Sequence, residues 1–232
     1  MVYTKRLLSP KFYNVSRKQN TFVVTGACGP HNKASSFPLA IALRDVLKVA
    51  ENISEAREIL NKRTVKVDNN IRTDYKFPLG FMDVLSINDI NYRILLNKKG
   101  LCIKQVDKAQ SNVKLLKIVS KTFTKKNKLQ LGFHDGRIIL VDKDIYKVGD
   151  VVLFELESKK IKDLIQLKRG STVLITEGKN RGKLGKVEDF VNVRSSQPNR
   201  IVVRFGDDRI ETYKDYVFIV GHDSPVIDLQ IE

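Results

Sequence analysis

Cysteine is scarce in this chain. The 232 residues hold two, Cys28 and Cys102, separated by 74 positions, and neither has a second Cys or a His at metal-ligand spacing. That excludes a disulfide framework and a cysteine-built metal site, and both thiols read as reduced and intracellular. Long apolar runs are missing too. The longest strongly apolar stretch, Leu39 to Leu43, is far below the ~20 residues a membrane helix requires. The three histidines, His31, His134 and His222, lack a neighbouring carboxylate or cysteine arrangement of the kind acid–base or nucleophilic catalysis uses, so no catalytic residue is named. Carboxylates are absent from the entire start of the chain, the first being Asp45.

What is present is positive charge. Lys and Arg total 42 against 26 Asp and Glu, a net charge of +16 that favours polyanionic partners. The excess is uneven. Basic and acidic residues number seven and none over 1–44, eight and eight over 45–96, ten and one over 97–128, six and seven over 129–167, six and one over 168–186, and five and nine over 187–232. Three separated basic stretches suit an extended RNA track better than an anionic membrane surface. The acid-free start could also belong to a mitochondrial transit peptide, but Pro10 and Gly29-Pro30 interrupt the amphipathic helix such a segment needs.

Residues 1–37 show no clear period and mix Lys5, Arg6, Lys11, Arg17, Lys18 and Lys33 with Phe12, Tyr13 and Phe22. They read as an extended basic arm, its cations on phosphates and its rings on bases or neighbouring protein; a solvated terminus is the plainer alternative. From Pro38 to Ala50, Leu39, Ala42, Leu43, Val46, Leu47 and Ala50 recur at helical spacing, with Ser35 or Ser36 as cap. Arg44 and Lys48, four apart, would share the face away from that stripe. Asn52 and Glu55 announce a second helix to about Leu60, and Val65 and Val67 lead into an Asp68-Asn69-Asn70 turn and a hairpin. Farther on, Asp135-Gly136 marks another hairpin between LQLGF and IILVD.

The segment Gly170 to Phe190, GSTVLITEGKNRGKLGKVEDF, places Gly178, Gly182 and Gly185 with Lys179, Arg181, Lys183 and Lys186 between a strand at Val173–Ile175 and a short one resuming at Val187. Glycine lets backbone N–H groups approach a ligand and the four cations suit phosphates; an ordinary hairpin with solvated lysines fits equally well. A phosphate-binding GxxxxGK(S/T) loop is excluded, because no Gly-Lys-Ser/Thr closes it and a strand follows where a helix should start.

The spacing of that segment resembles the KOW motif of SH3-like barrels, and the two helices with their hairpin resemble the RNA-binding module named after bacterial small-subunit ribosomal protein four. Gly29-Pro30-His31, PLAIALRDVLKVA at 38–50, VKVDNNIRTD at 65–74, FPLGFMDVLSI at 77–87, KVGDVVLFELESKKIKDLIQL at 147–167 and YVFIVG at 216–221 together resemble the eukaryotic and archaeal ribosomal protein eS-four family over nearly the whole chain. The resemblance implies an α+β, β-rich fold: a basic arm (1–37), a helix-helix-hairpin module (38–104), a central β-rich domain (105–167), a KOW-type barrel (168–221) and a short tail (222–232). It also implies a non-enzymatic constituent of the small ribosomal subunit, without cofactor or small-molecule substrate, whose partners are small-subunit ribosomal RNA and neighbouring ribosomal proteins. The location implied is the cytoplasmic ribosome, with nucleolar assembly in a eukaryote. Candidate RNA contacts are Lys5, Arg6, Arg17, Lys18, Lys33, Arg44, Lys48, Lys179, Arg181, Lys183 and Lys186. A free RNA-binding or transcription elongation factor is the alternative; an RNA-modifying enzyme lacks space for a catalytic domain, because 105–220 is filled by strand patterns. The chain departs from the family in having no tryptophan, in Asn32 to Ser36, where Arg and Glu are usual, and in ending at Glu232 without a basic extension.

Overall fold

The computed structural model describes residues 4–125, 128–193, 196–206 and 208–229. Residues 1–3 of the arm, 126–127 of the central basic stretch and 230–232 of the tail lie outside the described residues. The chain forms two compact units, one of 1–95 with 99–114 and one of 96–98 with 115–232.

In the first unit the arm is folded back rather than extended. Thr4–Lys5 pairs antiparallel with Phe22–Val23, short 3-10 turns occupy Arg6–Leu8 and Lys11–Tyr13, and Tyr13 and Val23 are buried. The aromatics explain the difference: Phe12 and Tyr13 stack edge to face at 5.3 Å, and Gly100 packs so closely on Phe12 that an added Cβ would lie 2.3 Å from Phe12 Cβ.

The helix expected over 38–50 is shorter and wound differently. Leu39–Ile41 is α-helical, and Ala42–Val46 is a π-type turn. Leu47 N–H donates to the Ala42 carbonyl at 2.9 Å and Lys48 turns left-handed at φ 55°, which ends the helix. Ser35 and Ser36 do not cap it. Pro38 holds that position, and the first helical N–H groups of Leu39 and Ala40 donate to the carbonyls of Phe77 and Tyr75, both at 2.9 Å. The second helix, Ile53–Asn61, starts as expected: Asn52 Oδ1 accepts from Glu55 N–H at 2.9 Å, and Ala56 and Leu60 are fully buried.

A five-stranded sheet follows in the order Asn70–Ile71, Val65–Val67, Val84–Ile87, Ile90–Asn97, Gly100–Val106. Its first hairpin turns at Asp68 and Asn69, both left-handed at φ 49° and 61°, the geometry of a type I′ turn. Leu39, Ile41, Leu43, Leu60, Leu79, Leu85, Ile94 and Leu95 are fully buried in this unit.

The second unit carries two five-stranded sheets. One runs Ile138–Val141, Leu129–Phe133, Val113–Phe123, Val151–Glu155, Lys160–Ile165. Its Asp135-Gly136 hairpin forms with Gly136 at φ 74°. The other is antiparallel and runs Asp208–Tyr213, Arg200–Phe205, Leu184–Val191, Thr172–Ile175, Val217–Gly221. The strand after the glycine-rich loop therefore begins at Leu184, before the expected Val187. Gly185 sits inside it opposite Val173, and an added Cβ there would lie 2.6 Å from the Arg204 carbonyl oxygen; the glycine serves close backbone packing, not the turn.

Candidate nucleic-acid interface

The first unit sorts its expected contacts by exposure. Lys5, Lys18, Lys33 and Lys48 are exposed. Arg17 is half-buried, its Nη1 and Nη2 donating to the carbonyls of Leu7 and Ser9, both at 3.1 Å, so it staples the arm to itself. Arg44 is half-buried against Asp45, with Nη2 at 2.7 Å and Nε at 3.1 Å from one carboxylate oxygen. Because Lys48 leaves the helix in a left-handed conformation, Arg44 and Lys48 do not share a regular helical face; they line one cleft instead. Arg6 differs most from the expectation of a surface cation. It is 3% exposed, with Nη2 3.6 Å from Asp45, because the folded arm carries it onto the helix that bears that carboxylate.

Three further cations escaped the sequence reading. Arg57 lies 4.3 Å from the Tyr75 ring centroid, Lys76 5.5 Å from the same ring, and Arg72 4.4 Å from that of Phe77. The signal was available in RTDYKF at 72–77, where cations and rings interleave.

A buried polar network fixes the hairpin of this unit. Lys114 Nζ, fully buried, donates to Asp68 Oδ2 at 2.7 Å and Asp83 Oδ1 at 2.6 Å. Asp68 Oδ1 accepts from Val84 N–H at 3.0 Å and Asp83 Oδ2 from Gly80 N–H at 2.9 Å. His31 Nε2 stands 2.9 Å from Asp83 Oδ2, which gives this histidine a structural role. Burial pushes the Asp83 carboxyl upward, but Lys114, His31 and the Gly80 N–H together hold it well below the usual carboxylate range.

In the second unit the glycine-rich loop is closed by its own hydrogen bonds. Arg181 N–H donates to the Gly178 carbonyl at 3.4 Å, Gly182 N–H to Ile175 at 2.8 Å and Lys183 N–H to Asn180 at 3.2 Å. Those three backbone donors are occupied, so the loop offers a ligand its cationic side chains. Lys179 and Lys183 are exposed, the latter with Nζ 5.8 Å from the Phe205 ring; Arg181 is half-buried with an unpaired Nε. Gly178 and Gly182 adopt φ 85° and 79° as the turn requires. Lys186 is exposed but belongs to the strand, opposite Arg204 on one ladder and Thr172 on the other. Behind this sheet Lys117 Nζ donates to the carbonyls of Asp215 at 2.6 Å and Val217 at 2.8 Å. Burial pulls its ammonium down to about 8, against the opposing pull of Asp215. His134 accepts from Lys117 N–H through Nδ1 at 3.2 Å and packs edge-on to Phe218. Among the described residues no group of three or more His, Cys, Asp or Glu is placed to hold a metal ion, and no helix is long and apolar enough to cross a membrane.

Comparison with known proteins bears on the whole chain. The model of Ribosomal family S4e matches residues 88–161, and that of the S4 domain matches 38–85. The small ribosomal subunit protein eS4 of Methanosphaera stadtmanae is 40% identical over 98% of this chain and 95% of its own length, and that of Methanothermobacter thermautotrophicus is 41% identical with the same coverage. The crystal structure of 30S ribosomal protein S4e from Thermoplasma acidophilum superposes with a TM-score of 0.70 at 34% identity, covering 81% of this chain and 95% of that one. Identity of that order over nearly the full length of both partners means that the chain belongs to the S4e family of ribosomal proteins.

Proposed function

We propose that this protein is a structural constituent of the small ribosomal subunit that holds small-subunit ribosomal RNA by charge and shape, beside neighbouring ribosomal proteins and without catalysis. The observation that carries the reading is the match to eS4 proteins over 98% of the chain, which favours it over a free elongation factor. The exposed lysines Lys5, Lys18, Lys33, Lys48, Lys179, Lys183 and Lys186 neutralise phosphates, with Arg17, Arg44 and Arg181 behind them. Arg6 is assigned to folding of the arm. The 168–221 sheet with its glycine-rich loop acts as the KOW-type module, and 105–167 as the central β domain. The working location is the ribosome in the cytoplasm; archaeal relatives lend nucleolar assembly no support.

If six of these cations each displace a counterion, log affinity falls against log salt with a slope of about −4 to −5. Titration of a small-subunit RNA fragment at increasing salt tests this, and a flat dependence overturns it. Lys179→Glu with Lys183→Glu, both exposed, is expected to lower incorporation into small subunits on sucrose gradients without altering the fold.

A further inference from the structure

The cleft of about 920 Å³ between the folded arm and the first helix lies within the ~300–1,000 Å³ range of ligand sites, and its walls differ from those of a phosphate track. Asp45, 3.6 Å from Arg6 and 2.7 Å from Arg44, and Glu51, which also lines the cleft, together balance the two arginines in formal charge, so Lys48 carries the net positive charge of the lining. What does face inward is hydrogen-bonding capacity. Gln19 and Asn20 line the wall, both exposed. With its amide oriented by the surrounding bonds, Asn20 Oδ1 accepts from Arg6 Nη1 at 3.0 Å. Arg6 Nε, in a side chain 4% exposed, has no partner. A buried guanidinium N–H left without an acceptor costs roughly 1–3 kcal/mol or more, and an incoming acceptor would remove that cost. Phe22 lines the cleft, 54% exposed, and its ladder partner is the exposed Lys5. Lys48 also lines the cleft and is exposed.

Two side-chain amides, one unsatisfied donor, an aromatic ring and a single lysine uncompensated in formal charge match a nucleobase and its flanking phosphates. Free phosphate would need more net positive charge than one lysine supplies. We infer that this cleft receives a single nucleotide lifted out of its RNA stack, the ring against Phe22, the base edge on Gln19, Asn20 and Arg6 Nε, and the adjoining phosphates at Lys5 and Lys48. The inference rests on the RNA-binding reading above and adds to it a point at which a base is held.

The isotope-labelled full-length chain is titrated with the four nucleoside 5′-monophosphates and, separately, with inorganic phosphate. The side-chain signals of Gln19, Asn20 and Arg6 Nε are expected to move with at least one nucleotide and to stay put with phosphate. Phe22→Ala is expected to weaken a small-subunit RNA fragment about tenfold with its salt slope unchanged; Lys48→Ala is expected to make the slope shallower by about 0.7–0.9. Equal movement with phosphate, or none with any nucleotide, overturns the assignment. So does Phe22→Ala binding RNA as tightly as the parent while the salt dependence stays steep, a result that leaves RNA binding itself intact. A flat salt dependence in the unaltered chain overturns the underlying reading instead.

Discussion

Replacing Lys114 with methionine asks how much the buried network contributes. The methionine fills most of the lysine stem's volume, so little cavity forms. What is lost is the ammonium 2.6 and 2.7 Å from two carboxylates. Removing one partner of a buried pair costs about 3–5 kcal/mol, because the survivor stays charged without compensation. Here Asp68 keeps the Val84 N–H, and Asp83 keeps the Gly80 N–H and His31, which places the expected loss near the lower end, about 3 kcal/mol. The effect also depends on pH with a definite sign. In the parent, the Asp83 carboxyl lies below its unfolded value of about 3.9, so its contribution is present above that pH and is lost as pH falls through the depressed folded value. Without Lys114 the upward push of burial has lost its chief opponent. Asp83 then takes up a proton on folding, and the gap between variant and parent narrows from pH 7 to pH 5. With no tryptophan in the chain, urea unfolding is followed by far-ultraviolet circular dichroism at both pH values. Adding Asp83→Asn is expected to recover part of the loss. A cost below about 1 kcal/mol, the worth of a surface pair, or a gap that widens on acidification, would refute the reasoning.

Two other perturbations test the second unit. Gly182→Ala forces a side chain onto φ 79° and puts its Cβ 2.7 Å from the Asn97 carbonyl carbon and 2.8 Å from Lys98 N; the left-handed backbone alone costs about 1–2 kcal/mol, and the clash adds to it. Thermal unfolding is expected to shift down by several degrees, and an unchanged midpoint counts against the loop geometry. For Lys117 the folded value of about 8 lies below the unfolded ~10.4, so the charged form opposes folding below pH 8 and stability rises between there and about 10.4. Comparing Lys117→Met with the parent across that interval, the difference is expected to move in the parent's favour; a constant difference would contradict it.

Elements governed by local chemistry were legible in advance. Asp68-Asn69 and Asp135-Gly136 turn where expected, because few residue pairs tolerate positive φ, and Asn52 with Glu55 caps the second helix through contacts three residues apart. Elements decided at a distance were not. The π-type turn at 42–46 keeps the helical apolar rhythm, so periodicity does not reveal it, and the acceptors for the helix start come from Tyr75 and Phe77, more than thirty residues along. Charge counting misled in the same way. Lys114 adds to the basic tally of 97–128, yet it is fully buried against carboxylates 31 and 46 positions away. Arg6 reads as one more cation on an arm until Asp45 closes on it. At the candidate site the lysines expected at the surface are exposed, whereas the cleft wall of Gln19, Asn20 and Phe22 carries no motif and exists only because the arm folds back.

The self-closed loop at 178–183 has a kinetic meaning. Since the N–H groups of Arg181, Gly182 and Lys183 already have acceptors in the loop or the strand before it, a polyanion arriving there meets cations mounted on a finished frame. No segment has to freeze as contact is made, so little ordering entropy is charged against the encounter. If the loop takes RNA phosphates as proposed, capture there is governed by diffusion and long-range attraction, and release by how quickly salt competes for the same lysines.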